Sequence, residues 1–169
     1  MAEKKLTVQV GERQLVLSNL DKPLYSTGFS KAEVVRCYTH IAPVLLPHIS
    51  RRPITMVRFA DGTDGEAFFE KNCPRGAPDW VQTVTLPSSG SRSDRGPGTI
   101  TYPLIEDLPS LVWAANLAAL ELHVPQWMVG PGPKTPVPGP AGVRPRPGRG
   151  RQRGRVRPCG GAATGGPHR

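Results

Sequence analysis

The sequence predicts an α+β domain with mainly antiparallel pairing. Three observations carry this expectation. Apolar and polar residues alternate in short paired runs separated by Gly/Asp/Asn turns, two segments carry helical periodicity instead, and the elements follow one another as hairpin, helix, hairpin, strand pair, helix, without the regular strand–helix alternation of a parallel sheet. No internal repeat is visible.

Leu6 to Val10 and Gln14 to Ser18 flank Gly11-Glu12-Arg13, which reads as a β-hairpin. Ser30-Lys31-Ala32-Glu33 forms a capping box, and Phe29 and Val34 are spaced as a hydrophobic staple, so a helix should start at Lys31. Its apolar face is Val34, Val35, Tyr38, Ile41, Ala42 and Leu45, and Pro43 should kink or divide it. Ile54 to Phe59 and Ala67 to Lys71 read as strands joined by a Gly/Asp turn. Val81 to Leu86 and Thr99 to Ile105 form a second pair around the Ser/Gly/Arg loop Pro87 to Gly98, expected to be a mobile surface segment. From Pro109 to Leu122 the run is apolar on most sides, which predicts a buried helix ending before Pro125.

Composition separates the chain into two parts. Residues Val137 to Arg169 hold nine Gly, six Pro and eight Arg with no Asp, Glu, Lys or aromatic residue, a composition that cannot build a core and predicts a disordered tail. Removing those eight Arg from the 22 Lys+Arg leaves 14 against 13 Asp+Glu, so residues 1–136 carry a net charge of only +1. A basic nucleic-acid coat is thereby excluded for the folded part, and any anion binding there must use local cationic sites. Three cysteines are too few and too odd for a disulfide framework, which points to a reducing compartment. The first residues do not read as a signal peptide and no window approaches a spanning helix, so the cytoplasm is the expected location.

Candidate chemistry is sparse. Cys37 and His40 lie three apart on one helix, with Cys73, His48 and His123 elsewhere, but a structural zinc site needs two close ligand pairs, and buried Cys with surface His is the commoner reading. Lys22 and Lys31 bracket a turn at a helix N-terminus, where two ammonium groups and outward N–H groups could hold a phosphate; solvated lysines are the plainer alternative. Phe68 and Phe69 must point to opposite faces of a strand, so one is expected in the core while the other could stack on a base or stand exposed. His123 reads by default as a hydrogen-bonded structural histidine. No nucleophile triad, Walker loop or dinucleotide fingerprint stands out.

Several strings, in order, resemble a known family: Leu17-Ser-Asn-Leu-Asp-Lys22-Pro-Leu-Tyr25, Thr27-Gly-Phe-Ser-Lys31, Ile41-Ala-Pro-Val-Leu-Leu-Pro-His48, Asp64-Gly-Glu-Ala-Phe-Phe-Glu-Lys71, Ala77-Pro-Asp-Trp80, Leu111-Val-Trp-Ala-Ala, and Glu121-Leu-His-Val-Pro-Gln-Trp127. They look like the N-terminal half of the primase–polymerase domain of bacterial non-homologous end-joining DNA ligases of the ligase D type, in the archaeo-eukaryotic primase superfamily. The likeness covers nearly all of residues 6–136, and His-Val-Pro-Gln-Trp is its most specific piece. The resemblance implies a domain that recognises the 5′-phosphate at a DNA gap or broken end and adds nucleotides to the 3′ end before ligation. It implies that Lys22 and Lys31 contact the 5′-phosphate, that Phe68 and Phe69 lie near the template strand, and that Pro87 to Gly98 corresponds to a loop that holds two ends together. The end-binding Ku protein and a ligase domain are the implied partners, beside nucleoid DNA. Two positions depart from the family: Tyr25-Ser26-Thr27 is one residue shorter than the usual Tyr-Pro-x-Thr, and Val57 replaces a frequent Lys.

The family's metal-binding motif is absent. A Leu-Val-Phe-Asp-Leu-Asp-Pro-Gly string should follow the His-Val-Pro-Gln-Trp segment, then Ser-Gly-x-x-Gly-x-His and a further Asp, whose carboxylates hold two Mn or Mg ions in the intact domain. Beyond Trp127 this chain has no Asp or Glu, so no cofactor is expected on it. Gly139 to Gly148 can be encoded GGN CCN GCN GGN GTN CGN CCN CGN CCN GGN, and one base later the codons GNC CNG CNG GNG TNC GNC CNC GNC CNG permit Asp-Leu-Leu-Val-Phe-Asp-Leu-Asp-Pro. A one-base frameshift within the Thr135-Pro136 codons is the resulting hypothesis, making Val137 to Arg169 out of frame; the rival is a genuine Arg/Gly tail on a non-enzymatic nucleic-acid-binding protein.

Overall fold

Two residues suffice to turn the first hairpin. In the computed structural model, which describes residues 4–88, 98–130 and the backbone of 136–138, β1 (Lys5–Val10) pairs antiparallel with β2 (Arg13–Ser18), Val10 opposite Arg13. Gly11 takes the first turn position at φ +57°, a left-handed conformation that costs glycine no steric clash. Leu15 and Leu17 on one face are buried, while Val16 faces out. The hairpin is pinned by Asn116, whose Oδ1 accepts from the Ser18 N–H (3.0 Å) and whose Nδ2 donates to the Val16 carbonyl (3.2 Å), and by the Arg13 guanidinium 5.7 Å over the Trp80 ring.

Helix α1 (Lys31–Ile49) starts where the capping box places it. Glu33 Oε2 accepts from the Ser30 N–H at 2.7 Å and Ser30 Oγ accepts from the Glu33 N–H at 3.4 Å; the backbone bond to Ser30 holds the Glu33 carboxyl below its usual range. The expected division at Pro43 does not occur, since one helix continues through both Pro43 and Pro47. Both prolines are exposed and four apart, so the carbonyls left without a donor lie on the solvent side, where water can satisfy them.

A three-stranded antiparallel sheet follows, ordered β4 (Phe68–Glu70), β3 (Thr55–Arg58), β7 (Ala119–His123), with a bulge between Val57 and Arg58. Strands β5 (Thr83–Ser88) and β6 (Gly98–Pro103) form a separate antiparallel ladder as expected. The middle of their connecting loop lies outside the described residues. Helix α2 (Leu108–Asn116) begins at an Asp107–Ser110 capping box but ends six residues before the predicted Leu122. Leu117 caps it, Ala118 turns left-handed at φ +56°, and the next five residues become β7. Ladder bonds to β3 outweigh the helical preference of an Ala/Leu-rich run, because strand β3 would otherwise leave one side unpaired beside the core. Strand β8 (Trp127–Val129) pairs with β9 (Pro136–Pro138), neither expected from sequence, and the compositional boundary at Val137 falls inside β9. The rest of the predicted tail lies outside the described residues.

The core forms where β2, α1, β3 and β7 converge on α2. Leu111 and Ala114 have no exposed surface, and every residue from Pro109 to Ala115 is buried. The buried helix expected from Pro109 onward is therefore what the chain builds as far as Asn116. Tyr38 ties α1 to β7 by donating from Oη to the Ala119 carbonyl at 2.8 Å, and burial pushes its hydroxyl up to about 12. Among the described residues no helix is long and apolar enough to cross a membrane.

Candidate functional site

A folded-back turn brings Lys22 and Lys31 together. Asn19, left-handed at φ +50°, lets its carbonyl accept the Lys22 N–H (3.0 Å), and the Lys22 carbonyl then accepts the Lys31 N–H (2.8 Å). The Pro23–Ser30 bridge and the Leu24 N–H to Phe29 carbonyl bond (2.8 Å) zip the segment between. Residues nine apart in sequence thus face one cleft of about 200 Å³, lined also by Ser18, Asn19, Arg58 and Asn116. Lys31 is 7% exposed at the first position of α1, beside the positive end of the helix dipole.

Arg58 is the cleft residue that sequence reasoning missed. Its Nε donates to the Leu117 carbonyl (3.0 Å) and its Nη1 to Glu70 Oε2 (2.6 Å), which fixes the guanidinium across the end of α2. A charge inside the apolar run Ile54 to Phe59 was the available signal. Lys22 also has an acidic partner, Asp61 Oδ1 at 2.8 Å. The cleft is therefore a cluster of three cations beside a helix start, with Glu70 on Arg58 and Asp61 on Lys22, suited to a small multivalent anion.

The aromatic pair occupies a different edge. Phe68 is 49% and Phe69 68% exposed, so the expected burial of one ring does not happen. Strand β4 is a three-residue edge strand, and the largest fully buried side chains of this sheet, Met56 and Val57, belong to its neighbour β3. Phe69 meets His123 edge to face, 6.2 Å between ring centroids. His123 does make the hydrogen bond expected of it, to Glu121 Oε2 at 2.7 Å, but at the surface, where it lines a cleft of about 520 Å³ with Lys71, Tyr102 and Trp127. The segment after it is clamped from behind, Arg52 Nη1 donating to the Pro125 carbonyl (2.7 Å) and Arg51 Nη2 to that of Val129 (2.8 Å). Exposed rings backed by rigid main chain can stack on unpaired bases.

The remaining candidates stay apart. Cys37 is exposed rather than buried, because it falls on the solvent side of α1, and Cys73 is half-buried with its thiol pushed up by burial. Among the described residues no three His, Cys, Asp or Glu side chains converge, so the described residues do not fit the divalent metal pair that the family resemblance implies.

Comparison with known proteins places the chain. The family described as LigD, primase-polymerase domain, matches residues 30–139. The multifunctional non-homologous end joining DNA repair protein LigD of Mycobacterium tuberculosis is 43% identical over 134 residues, which cover 73% of this chain and 17% of that protein. Its counterpart in Mycolicibacterium smegmatis is 45% identical over 121 residues (71% and 15%), and the bifunctional LigD of Bacillus subtilis 31% over 113 (66% and 17%). Among solved structures, the polymerase domain from Mycobacterium tuberculosis ligase D in complex with DNA superposes with a TM-score of 0.64 at 43% identity, covering 77% of this chain and 44% of that one. The chain spans under a fifth of the length of these curated relatives.

Proposed function

Because the chain belongs to the LigD primase-polymerase domain family of non-homologous end-joining DNA repair, we propose that it binds 5′-phosphorylated DNA ends or gaps through the Lys22–Lys31–Arg58 cleft. The carrying observation is the turn that sets Lys22 and Lys31 side by side at the start of α1. A terminal phosphate offers near-double charge and several acceptor oxygens to such a site, whereas a 5′-hydroxyl offers neither. The exposed Phe68 and Phe69 would support the template bases near the gap. Ku and a ligase domain are the partners that the family likeness suggests, in the cytoplasm beside nucleoid DNA. Gapped DNA with a 5′-phosphate should bind more tightly than the same DNA with a 5′-hydroxyl by roughly 10- to 150-fold, the equivalent of ~1.5–3 kcal/mol, and the preference should disappear in Lys22→Ala plus Lys31→Ala. Equal affinity for the two ends would remove the assignment.

The same chain should not polymerise. Its last acidic side chain is Glu121, so the paired aspartates that would hold Mn or Mg are missing. Template-dependent incorporation above a no-protein blank, in the presence of manganese, would contradict this. A one-base frameshift within the Thr135-Pro136 codons would account for the loss. The nucleotide sequence across codons 134–150 decides it: restoring the frame should yield Leu-Val-Phe-Asp-Leu-Asp-Pro and primer extension, while other residues or an early stop would favour a native Arg/Gly tail that binds nucleic acid through charge alone.

A further inference from the structure

Asp61 occupies one contact of the Lys22 ammonium, and it follows Ala60, which lines the cleft. Its Oδ1 lies 2.8 Å from Lys22 Nζ, and the pair is not a chance meeting of two long side chains. The Gly62 N–H donates to the Phe59 carbonyl (3.0 Å) and closes the turn that carries Asp61, and this turn is docked on the segment after Lys22: the Thr63 N–H donates to the Leu24 carbonyl (2.7 Å), and Gly62 at φ +89° lies so close to Leu24 that a Cβ there would come 3.2 Å from its carbonyl oxygen. The short Asp side chain leaves few ways to hold its carboxylate, and the backbone contacts keep it beside Lys22. Its own side chain remains 78% exposed, so it can swing into water when displaced.

We infer that Asp61 is a built-in competitor for the terminal phosphate and sets the selectivity of the cleft, an inference that rests on the 5′-phosphate reading above. The Asp61 carboxylate and a phosphate would draw on the same Lys22 ammonium, and two anions brought to one cation repel each other. A doubly charged phosphate, gripped also by Lys31 and Arg58, displaces the carboxylate; a 5′-hydroxyl does not, and Lys22 stays with Asp61. The displaced carboxylate remains nearby and opposes the phosphate, which limits affinity and favours release of the end once it has been processed.

The test compares the full chain with Asp61→Asn in binding to gapped DNA carrying a 5′-phosphate or a 5′-hydroxyl. The variant should bind the phosphorylated gap roughly two- to fivefold more tightly, with affinity for the hydroxyl gap unchanged, as expected for removal of one exposed ion pair. Asp21→Asn, which removes the same charge from a carboxylate paired with Lys4 at 2.7 Å, should change either affinity less than twofold. Asp61→Ser gives the same comparison should the amide disturb the turn. If the unaltered chain prefers the phosphate through Lys22 and Lys31 but both Asp61 variants bind it equally or more weakly, the competitor role is overturned while the site stands. If the unaltered chain shows no preference, both readings fall together.

Discussion

The cation cleft and the aromatic edge use opposite economies of exposure. In the cleft, polar groups are gathered and already partnered: Lys31 is nearly buried, Arg58 is fixed by Glu70 and a carbonyl, and Lys22 is held by Asp61. At the edge, Phe68 and Phe69 stand largely in water, and Phe69 meets the His123 ring edge to face. The cleft therefore recognises charge by exchanging one set of ionic partners for another, whereas the edge gains by removing apolar area from water. Binding at the first should be sensitive to salt, and binding at the second should not.

Replacing both rings, Phe68→Ala plus Phe69→Ala, is expected to have the largest effect. It should weaken binding to a gap with an unpaired template by ~1–3 kcal/mol per stacked base, leave the phosphate preference intact, and leave the salt slope unchanged. A parallel loss on fully duplex DNA would show that the rings support the fold and not the bases. The Lys22/Lys31 double variant, at ~1.5–3 kcal/mol in total, should do the reverse, lowering the slope of log affinity against log salt by about 1 while unpaired-template binding persists. Identical salt slopes in the two variants would erase the distinction between the regions. Ser30→Ala should act least, costing ~1 kcal/mol in urea unfolding by removing the cap of α1, and it should blur the phosphate preference slightly because Lys31 stands on the first turn. Loss of cap stability with no change in phosphate preference would mean that the turn, and not the helix start, positions Lys31.

What the sequence by itself determined lies within a few residues of each signal. Ser30 and Glu33 set the start of α1, Gly11 set the hairpin turn, and the motif strings around Lys22, Phe68 and His123 named the family. Each of these depends on hydrogen bonds or dihedrals that close locally, or on residue identity alone. Tertiary structure decided the rest. Whether Leu117 to His123 continues a helix depends on β3, some sixty residues earlier, which takes up the ladder bonds. Whether a phenylalanine of β4 is buried depends on what lies over an edge strand, and among the described residues both rings stay largely exposed. Arg58 joined Lys22 and Lys31 only because the β3 bulge, the end of α2 and the turn before α1 meet at one cleft. Local spacing carries the chemistry of neighbours in sequence; burial and charge pairing are properties of neighbours in space, and those are created only when the chain closes on itself.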